Sequence, residues 1–135
     1  MKIRNVFYIG LLFLISTLGF AQGNFFLDSN GVTVKCTDCV AGDTGVVNGL
    51  TYTAHDVTSL YLKSIDDDDW DRVCTSLVTQ TSYLFINQLN FNQDISSWDT
   101  SNVILMQHTF SNANSFNQDI GNWDTSSVTN MQGMF

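Results

Sequence analysis

The 135-residue sequence contains no proline and no glutamate, and only five lysines and arginines. Without proline there is no Pro-rich linker to separate domains, and the length allows one domain at most. The scarcity of positive charge argues against nucleic acid, whose phosphates need a basic patch. It argues equally against an anionic membrane surface. Also missing are G-x-S-x-G, a phosphate-binding glycine loop and H-E-x-x-H. The two histidines, His55 and His108, have no acid–nucleophile pattern around them. The expectation is a protein that is not an enzyme and carries no cofactor.

All thirteen acidic residues are Asp. Asp competes with the backbone for hydrogen bonds, so it favours turns and caps over helix interiors. The composition therefore points to a loop-rich chain.

Residues 1–21 read as a signal peptide. Lys2 and Arg4 form a positive n-region, Val6 to Phe20 an apolar run, and Gly19-Phe20-Ala21 a small-residue cleavage site before Gln22. The run is short for a membrane span. After cleavage three basic residues would face thirteen Asp, a formal charge of −10. Export to a secreted or cell-surface location follows as an expectation. Membrane association would come only through export or an anchor outside this chain.

The strongest signal is an internal repeat. FNQDISSWDTSNVILMQHTF at 91–110 lies over FNQDIGNWDTSSVTNMQGMF at 116–135, with thirteen of twenty positions identical at an offset of 25. A fainter copy lies upstream, where Thr75-Ser76, Val78, Phe85 and Asn87 fall under Thr100-Ser101, Val103, Phe110 and Asn112. The expected organisation is a β-rich N-terminal cap over 22–65, a degenerate first repeat over 66–90, a full repeat over 91–115 and an incomplete one over 116–135. The short strands of the cap are read at Val32–Lys35 and Gly49–Ala54. The last copy stops at Phe135, its twentieth position, which reads as truncation mid-repeat.

Within one unit, Ile and Trp bracket an extended piece and Asp-Thr-Ser makes a turn. Val128, Met131, Met134 and Phe135 follow at i, i+3, i+6 and i+7, the spacing of one helix face. Thr129 and Gln132 have capping-box spacing. This predicts an α/β repeat, a leucine-rich-repeat-like solenoid with a short strand and a short helix per unit. Its expected core is Phe91, Ile95, Trp98, Val103, Met106, Phe110, Phe116, Ile120, Trp123, Val128, Met131, Met134 and Phe135. Asp94 and Asp119, like Asp99 and Asp124, should lie one repeat apart, about 5 Å by strand spacing. A cation between turns would relieve that repulsion. The favoured reading is that each carboxylate accepts from its own turn's N–H groups.

Cys36, Cys39 and Cys74 are an odd set for an exported protein, implying one disulfide and a spare thiol. A Cys36–Cys74 bridge is the preferred pairing, although the sequence leaves the choice open. A redox C-x-x-C at Cys36–Cys39 would need a helix N-terminus, and the flanking Gly31, Gly42 and Gly45 point to strand and turn. Zinc would require a fourth ligand, for which His55 is the candidate; no metal is expected. The Asp66–Asp69 run with Asp71 lacks the Gly and the terminal bidentate acid of an EF-hand, so it reads as a solvated turn before Trp70.

The pattern F-N-Q-D-I-x-x-W-D-T-S-x-V-x-x-M-x-x-M-F is similar to the repeat of the BspA-like leucine-rich-repeat surface proteins of bacteria. Asn30–Cys36 and Val73–Thr79 resemble the N-terminal region of the same proteins. The resemblance implies a curved solenoid, export, and adhesion to host or matrix proteins or to other cells. Thr81 and Thr109 depart from it by standing where Met is usual, Leu105 replaces a polar residue and His108 a small one. Each Thr should weaken the core.

The functional expectation is a surface scaffold for adhesion, binding an extracellular protein or glycan through Asn92, Gln93, Asp94, Ser96, Ser97, Asn117, Gln118, Asp119 and Asn122. The alternatives are a cap or spacer with no ligand of its own, as a fragment of a larger surface protein, and C-x-x-C thiol redox chemistry.

Overall fold

A computed structural model describes residues 23–135. The expected signal peptide lies outside the described residues. Strand β1 (Asn24–Leu27) pairs antiparallel with β2 (Val34–Thr37). The connecting turn is closed by Asp28 N–H donating to Thr33 O at 2.8 Å and by the Asn30 carboxamide accepting from Val32 and Thr33 N–H. Strands β3 (Thr44–Val47) and β4 (Leu50–Asp56) form a hairpin. Its two-residue loop, Asn48-Gly49, has φ of 51° and 82°. That left-handed pair suits an Asn-Gly turn and matches the twist of the flanking strands.

Helix α1 (Val57–Leu62) follows directly. Asp56 caps it by accepting from Ser59 N–H at 2.7 Å, and the Ser59 hydroxyl accepts from Asp56 N–H in return. A single 3-10 turn at Trp70–Arg72 leads into β5 (Val73–Leu77), which runs parallel to β4. Crossing from β4 to a parallel neighbour requires a connection over the sheet, and α1 supplies it.

The two small sheets close on one core of Val34, Cys36, Cys39, Val47, Tyr52, Ala54 and Cys74. Gly45 sits under the Phe25 ring, where an added Cβ would fall 2.3 Å from ring carbon. A second and larger core runs from Leu60 and Trp70 through the repeats to Trp123 and Met134.

The expected α/β leucine-rich-repeat-like solenoid is not what the chain forms. Among the described residues it is mostly small β-sheets with one short helix, and every strand and helix described lies before residue 78. The stretch Val73–Leu77, assigned by sequence to a degenerate repeat, is the third strand of the second sheet. Beyond it the chain makes turns and single bridges only, Gln80 with Leu105 and Leu105 with Asn130. A helix needs its amides bonded four residues back. Here Thr109 and Met134 N–H close tight turns three residues back, to Met106 and Met131 O. Residues 83, 108 and 133 take left-handed φ at equivalent places, which breaks any helix started there.

Candidate binding surface

Alternate amides in each copy point at the next. The N–H groups of Thr81, Tyr83, Phe85 and Asn87 each donate at 2.9 Å to the carbonyls of Leu105, Gln107, Thr109 and Ser111. Met106, His108 and Phe110 do the same to Asn130, Gln132 and Met134, at 2.9, 3.0 and 2.7 Å. The 25-residue period thus becomes a lateral register between turns.

Aromatic rings follow the same register. Phe85 stacks on Phe110 and Phe110 on Phe135, with centroids 5.4 and 5.6 Å apart. Trp98 and Trp123 are stacked within 2° of parallel at 5.9 Å. Each indole also donates back to a carbonyl 28 residues earlier: Trp98 Nε1 to Trp70 O at 3.2 Å, and Trp123 Nε1 to Ile95 O at 3.1 Å. Buried Trp N–H groups need such a partner.

Of the expected core, Phe91, Ile95, Trp98, Val103, Met106, Phe110, Trp123 and Met134 are buried. Phe116, Ile120 and Val128 are half-buried. Met131 and Phe135 are 44% and 73% exposed. Their inward placement relied on helical spacing, and a tight turn instead sends Met134 inward and Met131 out. The two Thr departures meet each other. Thr81 and Thr109 are buried with their hydroxyl oxygens 3.2 Å apart, and Thr109 Oγ1 also reaches Met106 O at 2.9 Å.

The repeated aspartates cap their own turns. Asp94, Asp119 and Asp124 accept at 2.9 Å from the N–H of Ser96, Gly121 and Ser126. Asp99 accepts from Ser101 N–H and from the hydroxyls of Ser101 and Ser76. A positive charge stands beside them as well. Lys35 on β2 shares a small cleft with Asp28, Asp99 and Asp124 and pairs with Asp28 at 2.8 Å. The Asp28 contact, with the fields of Asp99 and Asp124, holds the Lys35 ammonium above its ordinary pKa. The acidic run is likewise tied down: Lys63 Nζ binds Asp67 at 3.0 Å and also Asp69, while lying 5.4 Å from the Trp70 ring centroid. Among the described residues no cluster of three or more His, Cys, Asp or Glu is placed to hold a metal.

The polar residues expected to face a ligand divide into two sets. Asn92 Oδ1 accepts from Asn117 N–H at 2.8 Å and from Gln118 Nε2 at 3.0 Å, and Gln93 Nε2 donates to Asp67 O at 2.5 Å. Ser97 O accepts from Val34 N–H at 2.8 Å, tying the copy to β2. These groups join one segment to another. Asp94 and Asp119 are turn caps, while Ser96 is half-buried and Asn122 exposed. Sequence reasoning missed the concavity beside them. A groove of about 510 Å³ is lined by Ile65, Asp66, Asn87, Gln88, Leu89, Asn90, Phe91, Asn92 and Gln93. Leu89 is 54% exposed at its rim. The Asn112 carboxamide donates to Asn87 Oδ1 at 2.9 Å, extending the same polar edge. The repeat alignment could not reveal it, because the groove forms where the acidic turn meets the first copy.

Of the histidines, His108 stacks on Tyr83 at 5.2 Å. His55, on β4, is half-buried with Nδ1 unpartnered; burial first, and then Lys63, lowers its pKa. It does not join the cysteines in a metal site.

The expected disulfide is absent, and all three cysteines are buried free thiols. Cys36 and Cys74 nonetheless have their sulfurs 2.6 Å apart. Cys39 also reaches the Cys36 thiol, and burial raises its pKa. Contact with Cys74, followed by burial, pushes Cys36 up. Cys74 is lowered, by Cys36 and by the Ser76 donors. The C-x-x-C pair sits at the end of a strand rather than a helix N-terminus, so no helix dipole poises it for catalytic redox cycling.

Residues 50–135 match the family model described as "Mycoplasma protein of unknown function, DUF285". No curated protein and no solved structure gives a match.

Proposed function

Since the chain belongs to the DUF285 family, we propose that it is an exported surface scaffold that binds an extracellular protein or glycan without chemical turnover. The observation carrying this reading is the open groove at Asn87–Gln93, with carboxamides and backbone along its walls and Leu89 at its rim. Carboxamides offer paired donors and acceptors to sugar hydroxyls or peptide groups, and an exposed aliphatic rim adds contact area. The resemblance to BspA-like surface repeats supports the same reading. The strongly negative surface disfavours acidic ligands.

The test is a screen of the full chain against matrix proteins and glycans, followed by the paired change Leu89→Ala, Asn90→Ala. Both side chains are exposed. Loss of binding on the order of tenfold with an unchanged melting temperature supports the groove. A panel without a hit, or a hit indifferent to the change, removes it.

A second reading has its own observation. Asn92, Gln93 and Gln118 spend hydrogen bonds on neighbouring segments, as a spacer with no ligand would require. Under that reading Asn92→Ala lowers stability and no partner is ever found.

A further inference from the structure

Three thiols from two sheets converge in one core, an arrangement the repeat chemistry does not call for. Cys36 belongs to β2, Cys39 to the turn after it, and Cys74 to β5. Exposure falls from 8% at Cys39 to 3% at Cys36 and 0% at Cys74. The Cys36 sulfur lies 2.6 Å from that of Cys74, and Cys39 packs in the same core cluster. Around Cys74 lie Ser76 Oγ at 3.6 Å and Val34 O at 3.5 Å. The Ser76 hydroxyl also accepts from Cys36 N–H at 3.1 Å, fixing both strands around the pair.

We propose that these cysteines form an internal thiol–disulfide relay, in which Cys39 takes up an external disulfide and the crosslink ends between Cys36 and Cys74. The co-reactant is a small-molecule disulfide, R–S–S–R. The Cys39 thiolate attacks one sulfur, forms Cys39–S–S–R and releases one RS⁻. The Cys36 thiolate attacks the Cys39 sulfur, forms Cys36–S–S–Cys39 and releases the second RS⁻. The Cys74 thiolate then attacks the Cys36 sulfur, leaving Cys36–S–S–Cys74 and returning Cys39 as a thiolate. Each of the three thiolates has given its proton to water; the two released RS⁻ and the returned Cys39 thiolate recover one each. The balance is two protein thiols oxidised and one external disulfide reduced to two thiols.

The order follows from access and position. Cys39 is the most exposed of the three, and Gly23 packs over it with backbone alone, since a Cβ there would lie 2.3 Å from Cys39 Cβ. The final step starts from contact, since the Cys74 sulfur lies 2.6 Å from that of Cys36. The product staples the β1–β2 sheet to the β3–β4–β5 sheet. It is a single-use crosslink rather than a catalytic cycle.

The experiment incubates the folded, reduced full chain with oxidised glutathione, quenches with an alkylating agent and maps the cysteines by peptide mass. The expected product is Cys36–Cys74 with Cys39 alkylated. Its formation raises the melting temperature by on the order of 10 °C. Cys39→Ser is expected to reach the same product on the order of tenfold more slowly. Cys74→Ser is expected to accumulate Cys36–Cys39. Circular dichroism of each reduced variant checks folding, and the product map and rates of the unaltered chain stand independently of them. A final bridge between any other pair overturns the assignment. Equal rates for Cys39→Ser and the unaltered chain overturn the relay.

Discussion

Thr81 and Thr109 lie 28 residues apart in sequence, each fills a position where the repeat pattern has Met, and their hydroxyls meet at 3.2 Å inside the core. What reads as two separate losses of apolar volume is one buried polar pair. Thr109 Oγ1 also approaches Thr81 O at 3.1 Å, so the hydroxyls are satisfied without water. Thr109→Val leaves the Thr81 hydroxyl buried without its partner, at a cost of about 1–3 kcal/mol, whereas after Thr81→Val the Thr109 hydroxyl keeps the Met106 and Thr81 carbonyls and the loss is smaller. The double Val variant is expected to fall short of the sum by roughly 1 kcal/mol. A double-mutant cycle in urea measures this, and strict additivity would refute the pairing.

The indole bonds make a graded prediction. Phe in place of Trp123 keeps a ring in the column but removes the donor to Ile95 O, costing about 1 kcal/mol. The same change at Trp98 also disturbs packing with Trp70 and Phe85 and should cost more, roughly 2–3 kcal/mol. Equilibrium unfolding of the two variants gives the order directly. An equal loss at both would mean the columns do not share load as the contacts imply.

How far these features are legible in the sequence depends on which forces set them. The 25-residue register is readable, because identical residues at equal spacing meet identical neighbours. The turn-capping role of Asp94, Asp119 and Asp124 is readable as well, since it needs only the residue two places on. The helix was misread at Val128–Phe135: apolar spacing of i, i+3 and i+6 also arises when a tight turn exposes one Met and buries the next. Backbone carbonyls decide between the two, since those of Asn130, Gln132 and Met134 accept from amides 24 residues earlier. The groove was hidden for a similar reason. Asp66 and Asn90 have no local signal of proximity; the packing of Trp70 under Phe85 and Phe91, with the Gln93–Asp67 hydrogen bond, brings their segments together.

Acid should act first through His55. Burial depresses its pKa in the folded state, with Lys63 adding to the effect. A depressed folded pKa means the unfolded chain takes up the proton more readily. Stability is therefore complete above the unfolded value, about 6.5, and is lost as pH falls below it toward the folded value. Melting temperatures measured from pH 7.5 to 5 should decline for the unaltered chain and stay flatter in His55→Gln. Parallel curves would remove His55 from the account.

Lys35 makes a salt-dependent prediction. Its ammonium lies among Asp28, Asp99 and Asp124. Lys35→Met leaves those carboxylates without their cation, so the variant should be less stable at low ionic strength. It should recover toward the unaltered chain in about 0.5 M sodium chloride, where screening shortens the range of the repulsion. A deficit that does not change with salt would mean packing of the lysine stem matters more than its charge.

The bonds between copies carry a kinetic consequence. Nearly every one spans 24 to 28 residues, from the Phe85–Thr109 amide bond to the Trp98–Trp70 indole bond. Closing each therefore carries almost the same entropic penalty, which grows only with the logarithm of loop length. Once β5 is in place and Trp70 is buried, the first copy docks on a preformed template and the next docks on the first. Assembly then runs as a zipper that starts at the sheets, and a lesion near Trp70 slows every later step while one near Trp123 slows only the last.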